Sequence, residues 1–87
     1  MPYEIEISDD AERAMKKLDR KLAQRIYAKL VEVAASPDPF QRVKRLTGVA
    51  LFSLRVGSYR VIIDIRRNTL VILVLKIGHR GKVYEGL

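Results

Sequence analysis

A chain of 87 residues is long enough for one compact domain spanning 1–87 and too short for two. It has no cysteine and one histidine, His79, which excludes a disulfide framework, a thiolate metal site and a histidine-rich metal cluster. Seventeen Lys and Arg against ten Asp and Glu leave a net charge of +7.

That charge is one-sided. Residues 1–40 carry seven basic and eight acidic side chains, whereas residues 41–87 carry ten basic and two acidic. A cationic half attracts a polyanion, most commonly nucleic acid. No apolar stretch preceded by basic residues opens the chain, so no signal peptide is expected. The longest apolar run, Leu70 to Leu75, is six residues and far too short to span a bilayer. A cytoplasmic protein without a membrane partner is the resulting expectation.

Tyr3-Glu4-Ile5-Glu6-Ile7 alternates apolar and charged residues, the period of a half-buried strand. Ser8-Asp9-Asp10 then supplies capping oxygens, and Asp9 with Glu12 has capping-box spacing. Ala11, Ala14, Met15 and Leu18 form one helical stripe. After a phase break near Asp19, Leu22, Ile26, Leu30, Val33 and Ala34 form a second. Ser36-Pro37-Asp38-Pro39 stops the second helix, so 9–35 reads as a helical hairpin. Residues 37–50 read as a loop.

From Leu51 to about Ile77 branched and aromatic residues dominate, with breaks at Gly57-Ser58 and Arg67-Asn68. Gly57-Ser58 is a two-residue hairpin turn with glycine first, which pairs Val56 with Tyr59, Arg55 with Arg60, Leu54 with Val61 and Ser53 with Ile62. Phe52, Leu54, Val56, Tyr59, Val61, Ile63 and Ile65 then share the core face. Ser53, Arg55, Arg60, Ile62 and Asp64 share the other. Strand Leu70–Ile77 is apolar at nearly every position and reads as interior to the sheet. The cost of burying Lys76 puts that lysine on the arginine face, which calls for an odd-length turn around Arg67-Asn68-Thr69. Ile77-Gly78-His79-Arg80-Gly81-Lys82 leaves the strand, followed by Val83-Tyr84-Glu85.

The fold class expected is α+β: an N-terminal strand, a two-helix hairpin, then a three- to four-stranded antiparallel sheet with the helices packed on one face, in the order βααβββ. Two arginines directly opposite each other destabilise a strand pair by a few tenths of a kcal/mol or more. The arrangement makes sense around an anion, because guanidinium forks grip phosphate bidentately. Arginines beside a tyrosine suit unpaired RNA, with cations on phosphates and a ring stacked on a base.

The succession Leu46-Thr47-Gly48, Phe52-Ser53-Leu54-Arg55-Val56-Gly57-Ser58-Tyr59-Arg60-Val61-Ile62, then Ile77-Gly78-His79-Arg80 with Val83-Tyr84, resembles the RelE/ParE toxin superfamily over nearly the whole chain. A RelE-type resemblance implies a ribosome-dependent mRNA endoribonuclease, free of metal and cofactor, in which the RNA 2′-hydroxyl attacks the adjacent phosphate. It implies catalytic roles for Arg60 and Arg80 in stabilising the phosphorane charge, for Tyr84 in stacking on or orienting substrate, and for Arg55 on the active face. It also implies two lysines on the strand before the hairpin, where this chain has Leu51 and Ser53. Lys76, His79 and Lys82 are candidates for the acid–base work in their place, as are Lys44 and Glu85. Lys44, Arg45 and Lys82 are candidate RNA and ribosome contacts. The implied partners are the ribosome, mRNA and an acidic RelB-like antitoxin. Two other readings share the sequence features: a ParE-like gyrase poison with no nuclease activity, and a non-catalytic RNA-binding module.

Overall fold

Tyr3, Ile5 and Ile7 turn inward and Glu4 and Glu6 turn to solvent, as their alternation requires. A computed structural model describes residues 3–84. Strand β1 (Glu4–Ile7) is followed by helices α1 (Asp9–Lys17) and α2 (Arg20–Ala35), then by a 3-10 turn at Pro39–Arg42. Strands β2 (Lys44–Arg45), β3 (Phe52–Val56), β4 (Tyr59–Arg66) and β5 (Val71–His79) complete the described chain.

The strands make one five-stranded sheet in the order β1-β5-β4-β3-β2. β1 runs parallel to β5, pairing Glu4 with Val71 through Ile7 with Val74, and every other pair is antiparallel. A parallel neighbour needs a long connection, and here both helices and strands β2 to β4 lie between the two. Ala11, Ile26, Leu30, Val33 and Ala34 from the helices pack with Leu54, Val56, Val61, Ile63, Ile65, Ile72, Val74 and Ile77 from the sheet. The βααβββ order therefore stands, with the short β2 added and β1 joined to the same sheet.

Three local expectations are corrected. Ser8, not the Asp9–Glu12 pair, caps α1. Its hydroxyl accepts from the Ala11 N–H at 3.1 Å and donates to the Leu75 carbonyl at 2.8 Å, tying helix to sheet. Asp9 is instead the first helical residue, where its charge meets the positive end of the helix dipole, and the Glu12 carboxylate lies 3.8 Å from Lys16. The segment 37–50 is not all loop. Asp38 accepts from the Phe40 N–H at 3.2 Å to cap the 3-10 turn, and Lys44 and Arg45 pair with β3. Lys76 does lie on the arginine face, but not through an odd turn. Arg66 pairs with Val71 across a four-residue connection, and a bulge between Ile62 and Ile63 resets the register so that Ile62 faces Lys76 while Ile63 faces Val74.

Candidate nucleic-acid interface

Hairpin β3–β4 turns at Gly57, whose φ of +60° is the left-handed value that glycine adopts without strain. Its register is the expected one, with Arg55 opposite Arg60 and Ser53 opposite Ile62. Neighbouring strands extend both rows. Lys44, Ser53, Ile62 and Lys76 stand side by side across β2, β3, β4 and β5. Arg55, Arg60 and Gly78 form the next row, across β3, β4 and β5. All seven lie on the face away from the helices, because each row follows Cα partners and the rows are two residues apart along β3 and β4.

The chain after β5 folds back over this face. The N–H groups of Lys82 and Val83 both donate to the His79 carbonyl at 3.1 Å, and the Arg80 N–H donates to the Ser58 carbonyl at 2.9 Å. Val83 is buried, and so is Ile62, which stands outside the main core. Gly78 makes the close approach possible: a β-carbon there would sit 3.2 Å from the Val83 β-carbon. The turn thereby sets Tyr84 over the row of Ser53, with the Tyr84 and Ser53 hydroxyls 3.4 Å apart. Ser53 is buried, whereas Tyr84 remains 37% exposed.

Cations predominate around the phenol. The Ser53 hydrogen bond holds the Tyr84 phenol below its ordinary value; partial burial opposes this, and the cations Arg60 and Lys44 reinforce it. Arg60 is half-buried, and its Nη1 is buried with no hydrogen-bond partner. Arg55 is exposed, with Nε directed at the Gly57 carbonyl 3.5 Å away. Four acids pair with cations of their own helix or strand: Asp10 with Arg13, Glu12 with Lys16, Glu32 with Lys29, and Asp64 with Arg66. Among the described residues no ion pair involves Arg55, Arg60 or Arg80. Nor does any group of three or more His, Cys, Asp or Glu there have metal-holding geometry. A cleft of about 370 Å³ opens beside the rows, lined in part by Lys29, Glu32, Arg42, Lys44, Ser53 and Arg55. A half-buried guanidinium with an unpaired N–H, ringed by further cations, can hold a phosphate and stabilise charge developing on it.

A family model described as the ParE toxin of type II toxin–antitoxin systems, parDE, matches residues 5–84. The chain belongs to that toxin family, within the RelE/ParE superfamily. This toxin is 32% identical over 90 residues to toxin RelG of Mycobacterium tuberculosis, covering 98% of this chain and 99% of that one. Its fold is similar to that in the archaeal RelE–RelB complex from Pyrococcus horikoshii, with a TM-score of 0.78 and 28% identity, covering 94% of this chain and 99% of that one. A toxin–antitoxin RelBE complex from Mycobacterium tuberculosis matches with a TM-score of 0.70 and 29% identity, covering 92% of this toxin and 100% of that chain.

The structure brings Arg55, Arg60, Tyr84, Lys44 and Lys76 to one face of the toxin. Arg80 lies at its edge, beside the hairpin tip and exposed. Lys82 is exposed on the returning turn, where it lines a smaller cleft of about 240 Å³ with Asp10 and Lys76. His79 is not in the cluster. It pairs with Tyr59, and the two rings meet edge-on at 5.4 Å between centroids. Arg45 pairs with Phe52, so it projects on the opposite parity to Lys44. Glu85 lies outside the described residues. Sequence reasoning did not foresee that Ser53 meets Tyr84 or that Lys44 stands beside Ser53. A glycine inside an otherwise branched strand, Gly78, was the available signal that another backbone comes close there.

Proposed function

We propose that this toxin is a ribosome-dependent mRNA endoribonuclease that inhibits translation in the cytoplasm. One observation carries the reading: Arg60 presents a buried, unpaired N–H beside Tyr84 and opposite Arg55, a face built for a phosphate. In this proposal the backbone of unpaired mRNA lies along the two rows. Arg60 and Arg80 take the negative charge that grows on phosphorus as the 2′-oxygen attacks and the 5′-oxygen leaves. Tyr84 orients the flanking nucleotide, Arg55 grips the adjoining phosphate, and Lys44 and Lys82 add affinity along the RNA. Lys76 on β5 stands on the row of Ser53, and Lys82 is exposed on the turn that follows. An antitoxin is the natural counterpart, as relatives of this chain are seen in RelE–RelB complexes. An acidic segment that folds as it binds would neutralise the basic face.

The match to the parDE family favours a second reading, in which the toxin poisons DNA gyrase by protein contact. One experiment decides between them. The protein is incubated with programmed ribosomes and mRNA 5′ ends are mapped by primer extension; gyrase–DNA breaks are scored in parallel. Cuts at a vacant A site are expected. Intact mRNA with gyrase-dependent breaks supports the second reading, and intact mRNA without breaks leaves an RNA-binding module.

A further inference from the structure

We infer that Ser53 is a positioning residue that holds the Tyr84 phenol to accept the proton of the attacking 2′-hydroxyl. The nuclease step in this inference rests on the function proposed above; the coupling of Ser53 to Tyr84 does not. The geometry starts from an inward hydroxyl. Ser53 is only 6% exposed, yet its oxygen lies 3.4 Å from the phenol oxygen, on the row between Lys44 and Ile62. A buried serine hydroxyl needs a hydrogen-bond partner, and the Tyr84 oxygen is at hand. Once the phenol ionises, Ser53 donates to the phenolate.

Among the described residues, the cations Arg60 and Lys44 act on the phenol and favour its ionised form. Lys44 projects from β2, Arg60 from β4 and Lys76 from β5 on the row of Ser53 or the next, with Arg55 one row away on β3. Arg80 and Lys82 sit on the returning turn itself. The acid on β4, Asp64, is held by Arg66 at 3.2 Å. The phenol is accordingly depressed, with the Ser53 hydrogen bond its largest cause.

In the reaction, a lone pair on the 2′-oxygen forms the new bond to phosphorus while the bond from phosphorus to the 5′-oxygen breaks, its electron pair staying on that oxygen. The 2′-hydroxyl proton passes to the Tyr84 phenolate. The 5′-oxygen takes a proton from water, and Tyr84 returns its proton to the hydroxide so formed. General-base assistance of this kind is worth about 10²–10⁴ in rate.

The test uses carbon-13-labelled tyrosine in the full chain. Tyr84 is distinguished from the other three tyrosines by the resonance lost in Tyr84→Phe. Its titration midpoint is expected to lie below that of an ordinary phenol, to rise in Ser53→Ala and to return toward the wild-type value in Ser53→Thr. Single-turnover cleavage on programmed ribosomes should slow about fivefold to tenfold in Ser53→Ala near neutral pH, the size of one lost hydrogen bond. The rising limb of its pH–rate profile should move to higher pH, with ribosome affinity unchanged. Coincident Tyr84 titrations in wild type and Ser53→Ala overturn the positioning role, whether or not RNA is cut. A rate loss without a shifted limb overturns the proton-acceptor role. If the wild type leaves mRNA intact, the nuclease step falls, while the titration still decides the coupling of Ser53 to Tyr84.

Discussion

Replacing Arg60 by Met should make the toxin more stable and inactive at once. Arg60 carries a buried Nη1 without a partner, and leaving such a donor unmet costs about 1–3 kcal/mol. It also faces Arg55 directly across the strand pair, which costs about 0.2–1 kcal/mol. Against these stands the lost interaction with the Tyr84 phenol, about 0.5–1.5 kcal/mol. The balance favours Met, an unbranched side chain of similar reach, by about 1 kcal/mol. For a chain of this length that corresponds to a rise in Tm of about 4–8 °C. Removing a charge-stabilising donor should meanwhile lower cleavage by about 10²–10³. Calorimetry and urea unfolding give the first quantity, and primer extension on programmed ribosomes the second. A lower Tm in Arg60→Met would show that the guanidinium is satisfied in the folded protein, and the case for a phosphate seat would lose its footing.

Gly78→Ala should barely change stability, because relief of a strand glycine, about 0.5–1 kcal/mol, offsets the crowding of Val83 at 3.2 Å. It should still displace the turn that carries Tyr84, so a cleavage rate equal to wild type would refute the account of that turn. Ser8→Ala should cost about 1–2 kcal/mol in urea unfolding, whereas Asp9→Ala should cost only the few tenths expected of a charge in a first turn. Equal losses would mean that Ser8 is not the cap. The depressed Tyr84 phenol also makes stability depend on pH. Its ionised form is favoured by folding, so the contribution is absent below the folded value, grows as pH rises through it and is complete above the unfolded value of 10.0. The stability gap between wild type and Tyr84→Phe should therefore widen in favour of wild type as pH rises from neutrality toward that value, and a gap independent of pH would contradict the placement of Ser53 and Arg60 around the phenol.

The elements and the hairpin were legible in the residues because their causes are local. Glu4 and Glu6 alternate with isoleucines, Pro37 cannot continue α2, and Gly57 followed by Ser58 sets one register, which places Arg55 against Arg60 without reference to the rest of the chain. The helix cap was misplaced by one residue because Ser8 and Asp9 offer the same chemistry, and only the Leu75 carbonyl distinguishes them. The parity of Lys76 followed from the cost of burying a charge, yet the device that achieves it, a bulge, leaves no trace in an apolar run.

Tertiary structure alone decided the rest. A two-residue strand has no periodicity to read, so nothing in the order of residues says that Lys44 comes to lie beside Ser53. The return of the chain after β5 is likewise non-local: Tyr84 reaches Ser53 across 31 positions because Val83 finds an open backbone at Gly78 and buries itself on the sheet. Local sequence sets which face a strand residue occupies, since side chains alternate. Which residues from distant strands share that face depends on how the whole chain closes its core.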